Sequence, residues 1–463
     1  MFTDPLFGAA MTVIVRRSFL FISAAAILSL VFWTGCTEDN ANLSNNNSLH
    51  AGTTNCVNCH TNYTLLKQVY SPDTAAVSGG CSGEAVHIEP YDRVYMTPEG
   101  YAAFAKSTHG KKECTWCHGG DAATTDKKQA HTNNFVRHPS TIAETKCVTC
   151  HPSQAVTPNS LHAQGWGQKS MMTSRYGVES FDQLPAHLKE GYDHNCAKCH
   201  GTCGDCHVNR PSAGGGGLLK GHQFVKTPDM IDQCVACHTS RGGHAFLGIA
   251  SGTEPDIHKT KLNATCLTCH TGVEVHGNGM VYDQRYKTPQ LPKCENCHPN
   301  LAKSNTYHTA HISSFNCQTC HSQDYNNCGS CHVGGEGARI HAHQKFKIGM
   351  NPIPTVRPYK MATVRQSLMA PDSWKEYGVP LLAKFDSKPT YKYTTPHNIL
   401  RWTTRTQVAA GKSCSDNCHI IKEGSTFRNK NLYLFNSDLE SWEVNATKEV
   451  VVDGKLPASW GVQ

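Results

Sequence analysis

The pattern Cys-x-x-Cys-His occurs ten times in this chain. Its thiols are Cys56/Cys59, Cys114/Cys117, Cys147/Cys150, Cys196/Cys199, Cys203/Cys206, Cys234/Cys237, Cys266/Cys269, Cys294/Cys297, Cys317/Cys320 and Cys328/Cys331. A stretched copy, Cys414 and Cys418 before His419, closes the series. Residues three or four apart on a helical turn share a face, so each pair presents two thiols side by side with an imidazole next to them. That is the donor set for attaching a c-type haem: the thiols add to the two vinyl groups of one porphyrin and the histidine turns to the iron. Structural zinc would gather CxxC pairs into four-ligand sites and has no need of a histidine after every pair; a disulfide framework fails in the same way. The expected cofactor is haem c, about eleven copies, with first ligands His60, His118, His151, His200, His207, His238, His270, His298, His321, His332 and His419.

Of the 28 histidines, eleven belong to the motifs, and the seventeen left over suffice for a second axial ligand at every iron. The candidates are His109, His131, His162, His194, His222, His258, His276, His308, His311, His343 and His397. Many stand shortly before a motif, and His397 is the natural partner for the stretched one. Ligation by two histidines keeps potentials low, where methionine raises them, and it leaves no open position for a substrate. No motif ends in lysine, and no other catalytic pattern is present. In the tandem CAKCHGTCGDCH only Gly201 and Thr202 separate two motifs, so those two haems are expected almost in contact. Cys81 is the one cysteine of the mature chain outside the motifs and the leader junction.

The elements that position these residues have to be short. Only 38% of the 463 residues are hydrophobic, with mean hydropathy −0.45, too little for a large aliphatic core. The expected fold is a multihaem cytochrome c: mostly loops and short α-helices wrapped around a chain of covalent haems, with little β. Residues 1–35 read as a signal peptide, with Arg16 and Arg17 before an apolar run. Residues 36–50 read as a lipid-anchored polar tether beginning at Cys36, 51–345 as a ten-haem array, 346–419 as a haem-poor wrap ending in the eleventh haem, and 420–463 as a C-terminal arm or hairpin. The formal charge of +7 suggests an acidic partner, but the haem propionates outweigh it, and no nucleic-acid partner is expected.

CTWCHGG after Ser107-Thr108-His109-Gly110, the tandem CAKCHGTCGDCHV, and PHNILRWT before the last motif resemble the large multihaem c-type cytochromes of metal- and oxyanion-respiring bacteria. The resemblance runs from Cys56 to His419. It implies electron transfer between a respiratory donor and an acceptor at the periplasm or cell surface. The implied partners are other redox proteins, periplasmic or outer-membrane cytochromes or a porin-cytochrome complex, with the membrane reached through lipidated Cys36. The implied location is exported, as an outer-membrane or surface lipoprotein or else periplasmic. The alternative is a multihaem oxidoreductase that reduces a nitrogen or sulfur oxyanion at one five-coordinate haem.

Overall fold

Each attachment motif shapes its own backbone. In the computed structural model, which describes residues 54–73, 87–249, 252–326, 343–367 and 369–462, motifs sit on one-turn helices such as Cys114–His118, Cys203–His207, Cys266–Cys269 and Cys414–Cys418. The leader, Cys36, the polar tether, Cys81 and the motif Cys328/Cys331/His332 lie outside the described residues, as does the side chain of His343. Several of these turns cap themselves with a residue from inside the motif. The Thr202 amide donates to Asp205 Oδ2 at 2.8 Å, the Thr265 amide to Thr268 Oγ1 at 3.0 Å and the Ser413 amide to Asp416 Oδ2 at 2.7 Å, the reciprocal half of a capping box. In the stretched motif the helix gains the extra residue and keeps both thiols on it.

From Thr54 to His321 the chain is helical turns and loops. Its longest helix, Trp166–Tyr176, has 11 residues, below the length at which an isolated helix is stable in water. Tertiary contact must hold these turns. The apolar clusters there are small, as with Val57, Met96 and Tyr101.

The C-terminal region differs. Strands Lys347–Met350, Met361–Gln366 and Tyr391–Tyr393 form an antiparallel sheet in that order, with Ile348 opposite Thr363 and Val364 opposite Tyr393. Four consecutive residues of the central strand, Met361 to Val364, are buried, so it is covered on both faces. The covering comes from the end of the chain. Tyr433, Leu434, Val450, Val451 and Val452 are buried, and they are stitched on by Leu434 N–H to Ile348 O (3.0 Å), Met350 N–H to Val450 O (2.8 Å) and Val452 N–H to Leu434 O (2.9 Å). The closing segment is therefore packed into a core and does not stand off as an arm. Its apolar residues are contiguous, which fits burial on all sides better than the alternation of a half-exposed hairpin. The short hairpin in this segment is Ile421–Glu423 with Thr426–Arg428.

A third cluster joins the regions: Met172, Leu184, Leu188 and Tyr192 pack with Trp374, Val379, Leu382 and Phe385. At its edge Arg175 is fully buried over the Phe385 ring, 4.1 Å from its centre. It donates to the carbonyls of Met369, Lys388 and Pro389 at 3.0, 3.4 and 3.2 Å. Burial lowers its pKa to about 10, so it stays charged at neutral pH. Among the described residues no helix is long and apolar enough to cross a membrane.

Candidate functional site

The motif histidines are arranged as one half of a repeated pair. Nine of them face a second imidazole with ring centres 5.9–6.3 Å apart: His60 with His131, His118 with His222, His151 with His109, His207 with His276, His238 with His162, His270 with His397, His298 with His258, His321 with His308, and His419 with His311. A ligating ring nitrogen lies about 1 Å from the ring centre and a metal–imidazole bond is about 2.0–2.1 Å. Two imidazoles on opposite sides of one metal atom therefore have centres about 6 Å apart. Chance aromatic contacts spread over roughly 4.5–7 Å. Nine values within a few tenths of an ångström do not.

Tautomer and orientation are set from behind. Nine of these rings have a hydrogen bond, and each uses Nδ1. His60, His118, His207 and His321 donate to the carbonyls of Val94, Val136, Val225 and Leu400 at 2.7–3.1 Å. His131 and His311 donate to Lys127 O and Tyr307 O at 2.7 and 2.9 Å. His258 is held by Asp256 (2.8 Å), His270 by Glu274 (2.9 Å) and His308 by Ser304 Oγ (2.7 Å). An Nδ1–H committed to an outer partner leaves the Nε2 lone pair aimed at the gap, the usual arrangement behind a metal-ligating histidine. Burial keeps several rings neutral as well, lowering His222, His238 and His397 to about 4.

Eight motif imidazoles, His60 through His298, line one continuous cavity of about 4870 Å³, and His321 and His419 lie outside it. Pockets for a single small ligand run about 300–1,000 Å³. All twenty described cysteines are free, and thiols of different motifs meet. Cys56 hydrogen-bonds Cys114, Cys147 bonds Cys203, Cys199 bonds Cys237, Cys234 bonds Cys266 and Cys294 bonds Cys317. The accepting thiols Cys56, Cys203 and Cys266 fall to about 7 for that reason, while their donors are pushed up. The two halves of the tandem turn to different neighbours, Cys203 to Cys147 and Cys199 to Cys237. Paired thiols, neutral imidazoles presented through Nε2 and a long cavity between them fit the donor chemistry of c-type haem.

Placement departs from the sequence reading in three respects. His397 stands opposite His270, and His311 takes the place beside His419 that was expected of His397. His194 is not opposite a motif ring among the described residues; its Nδ1 lies 3.1 Å from Tyr377 Oη. His200 faces no second imidazole among the described residues. Its Nε2 is hydrogen-bonded to Gln168 Oε1 at 3.0 Å and Tyr192 Oη at 3.2 Å. Gly165 makes that approach possible, because a Cβ there would lie 2.1 Å from His200 Nε2. Gln168, Tyr192 and Gly165 belong to no motif, and nothing in the sequence marks them.

No family model and no curated protein matches this chain. A solved structure, the octaheme cytochrome c from Shewanella oneidensis, is similar over 40% of this chain and 50% of its own, at 24% sequence identity and a TM-score of 0.27. The chain thus spans about half the length of that protein.

Proposed function

We propose that this chain is an exported multihaem c-type cytochrome that carries electrons along a row of covalently attached haems. The observation that supports the reading best is the repetition of facing imidazoles at one separation, with every hydrogen-bonded ring anchored through Nδ1. When bound, haem supplies a one-electron centre, and two imidazole ligands hold its potential below that of a His/Met centre. The chain's residues do the rest. Cysteine pairs tether each group, a backbone carbonyl or carboxylate fixes each imidazole, and the cavity walls keep neighbouring groups dry and close. The thiol contacts suggest the order of the row: first motif beside second, third beside fifth, sixth beside fourth and seventh, eighth beside ninth. In the stretched motif His419 faces His311 at 6.0 Å like the others, so we count it as an eleventh attachment site.

In this reading the donor and acceptor are other redox proteins at the periplasm or cell surface, with Cys36 as a lipid anchor. Intact mass and electron paramagnetic resonance of the holoprotein test it. The expected mass carries eleven haems, and His131→Ala converts one low-spin centre to high-spin. Bound zinc in place of haem, or no spectral change in that variant, would overturn it.

A further inference from the structure

One attachment site departs from the arrangement of the rest. The nine paired motif histidines whose Nδ1 bonds are known keep Nε2 clear, whereas His200 has Nε2 engaged by Gln168 at 3.0 Å and Tyr192 at 3.2 Å and packed on Gly165. The helix Ala186–Asn195 that carries Tyr192 has that residue buried in the cluster with Trp374 and Phe385, so the phenol cannot swing aside freely. Lys169, one residue beyond Gln168, is close enough to act on the His200 charge.

The same helix face leads to a cationic wall. Gln168 and Met171 are three apart on Trp166–Tyr176 and therefore neighbours. Met171 Sδ lies 2.9 Å from Lys392 Nζ. Lys392 is paired in the sheet with Arg365, whose Nη1 is buried with no hydrogen-bond partner. All four line the large cavity. An unsatisfied buried guanidinium nitrogen costs about 1–3 kcal/mol or more, and an anion in that part of the cavity would relieve it.

The site is also a branch. Cys199 meets Cys237, while Cys234 of the same motif goes on to Cys266 and the other half of the tandem, Cys203, goes to Cys147. A group attached at Cys196 and Cys199 would hang off the row at the sixth site, in electrical contact with it and outside its through path.

We infer that the Cys196/Cys199 site is where the array takes an external ligand: its haem has no second imidazole, His200 is held back by Tyr192 and Gln168, and a small inorganic anion enters an axial position from the side of Lys392 and Arg365. This rests on the proposed haem attachment, and the measurements separate the two. Intact mass reads the haem count. Nitrite is titrated into the oxidised holoprotein and carbon monoxide into the reduced one, followed by optical and electron paramagnetic resonance spectra. The expected result is one equivalent of each per chain, with loss of one high-spin signal. Cys196→Ala with Cys199→Ala should remove one haem mass and the whole binding equivalent. Gln168→His, which keeps every haem, should convert the high-spin signal to low-spin and abolish binding by supplying the missing imidazole. A wild type with all its haems, entirely low-spin and silent to both probes, overturns the inference and leaves the carrier reading intact. Binding that survives either variant overturns it too. Absence of haem would instead sink the carrier reading.

Discussion

The region up to His321 and the region after Phe346 solve the same problem with different materials. After Phe346 the chain folds as an ordinary protein does, around Ile348, Val364, Tyr433, Leu434, Val450 and Val452, nearly all removed from solvent. Before His321 the middle of the structure is a cavity of about 4870 Å³ lined by thiols and imidazoles. Short turns stand around it with little to pack on. Burying a Leu or Val side chain yields about 1.5–3 kcal/mol, and the first region has few to bury. The lesson is that one region carries its core in its sequence, while the other leaves room for one.

That contrast can be broken most severely by blocking haem attachment. Hydrogen exchange on chain made without attachment should find residues 54–321 exchanging as an unfolded chain, with 347–366 and 433–452 still protected. Equal loss in both regions would remove the distinction. Next in size is Leu434→Ala, a large-to-small change at a fully buried site, expected to cost about 2–5 kcal/mol. Denaturant unfolding followed at the sheet should show the loss while the haem count stays unchanged. Arg175→Met acts at the seam. It strands the carbonyls of Met369, Lys388 and Pro389 at about 1–3 kcal/mol, and proteolysis should then open the 367–390 loop before either region. The smallest effect is expected from Asp205→Ala, which removes the cap on Thr202 for about 1 kcal/mol. It should raise local exchange at Cys203–His207 and leave the sheet untouched.

How much of this could be read in advance follows the same division. Attachment chemistry is local, so spacing alone marked the thiols and their adjacent imidazoles, and the shortage of aliphatic residues announced the short turns. The surplus of histidines pointed to a second ring for most motifs. Which ring faces which was hidden, because His397 and His270, or His118 and His222, meet through the path of the whole chain. Gln168, Tyr192 and Gly165 were invisible for a related reason: a glutamine, a tyrosine and a glycine become a site only when three turns converge on His200. The closing segment misled because LYLF and VVV look like edge strands until something is seen to cover them.

The facing imidazoles have one more consequence, in the language of polymer networks. With a metal between them, each pair is a cross-link, and the loops they close interlock. The span from His60 to His131 overlaps that from His118 to His222, which overlaps His162 to His238, then His207 to His276, then His270 to His397, and finally His311 to His419. In the chain-entropy treatment of covalent links, closing a loop on the order of a hundred residues withholds about 4.7 kcal/mol from the unfolded ensemble. Because each loop is threaded into the next, a single backbone cut anywhere between His60 and His419 leaves the two pieces still tied through iron, and nicked holoprotein should migrate as one body until the metal is removed.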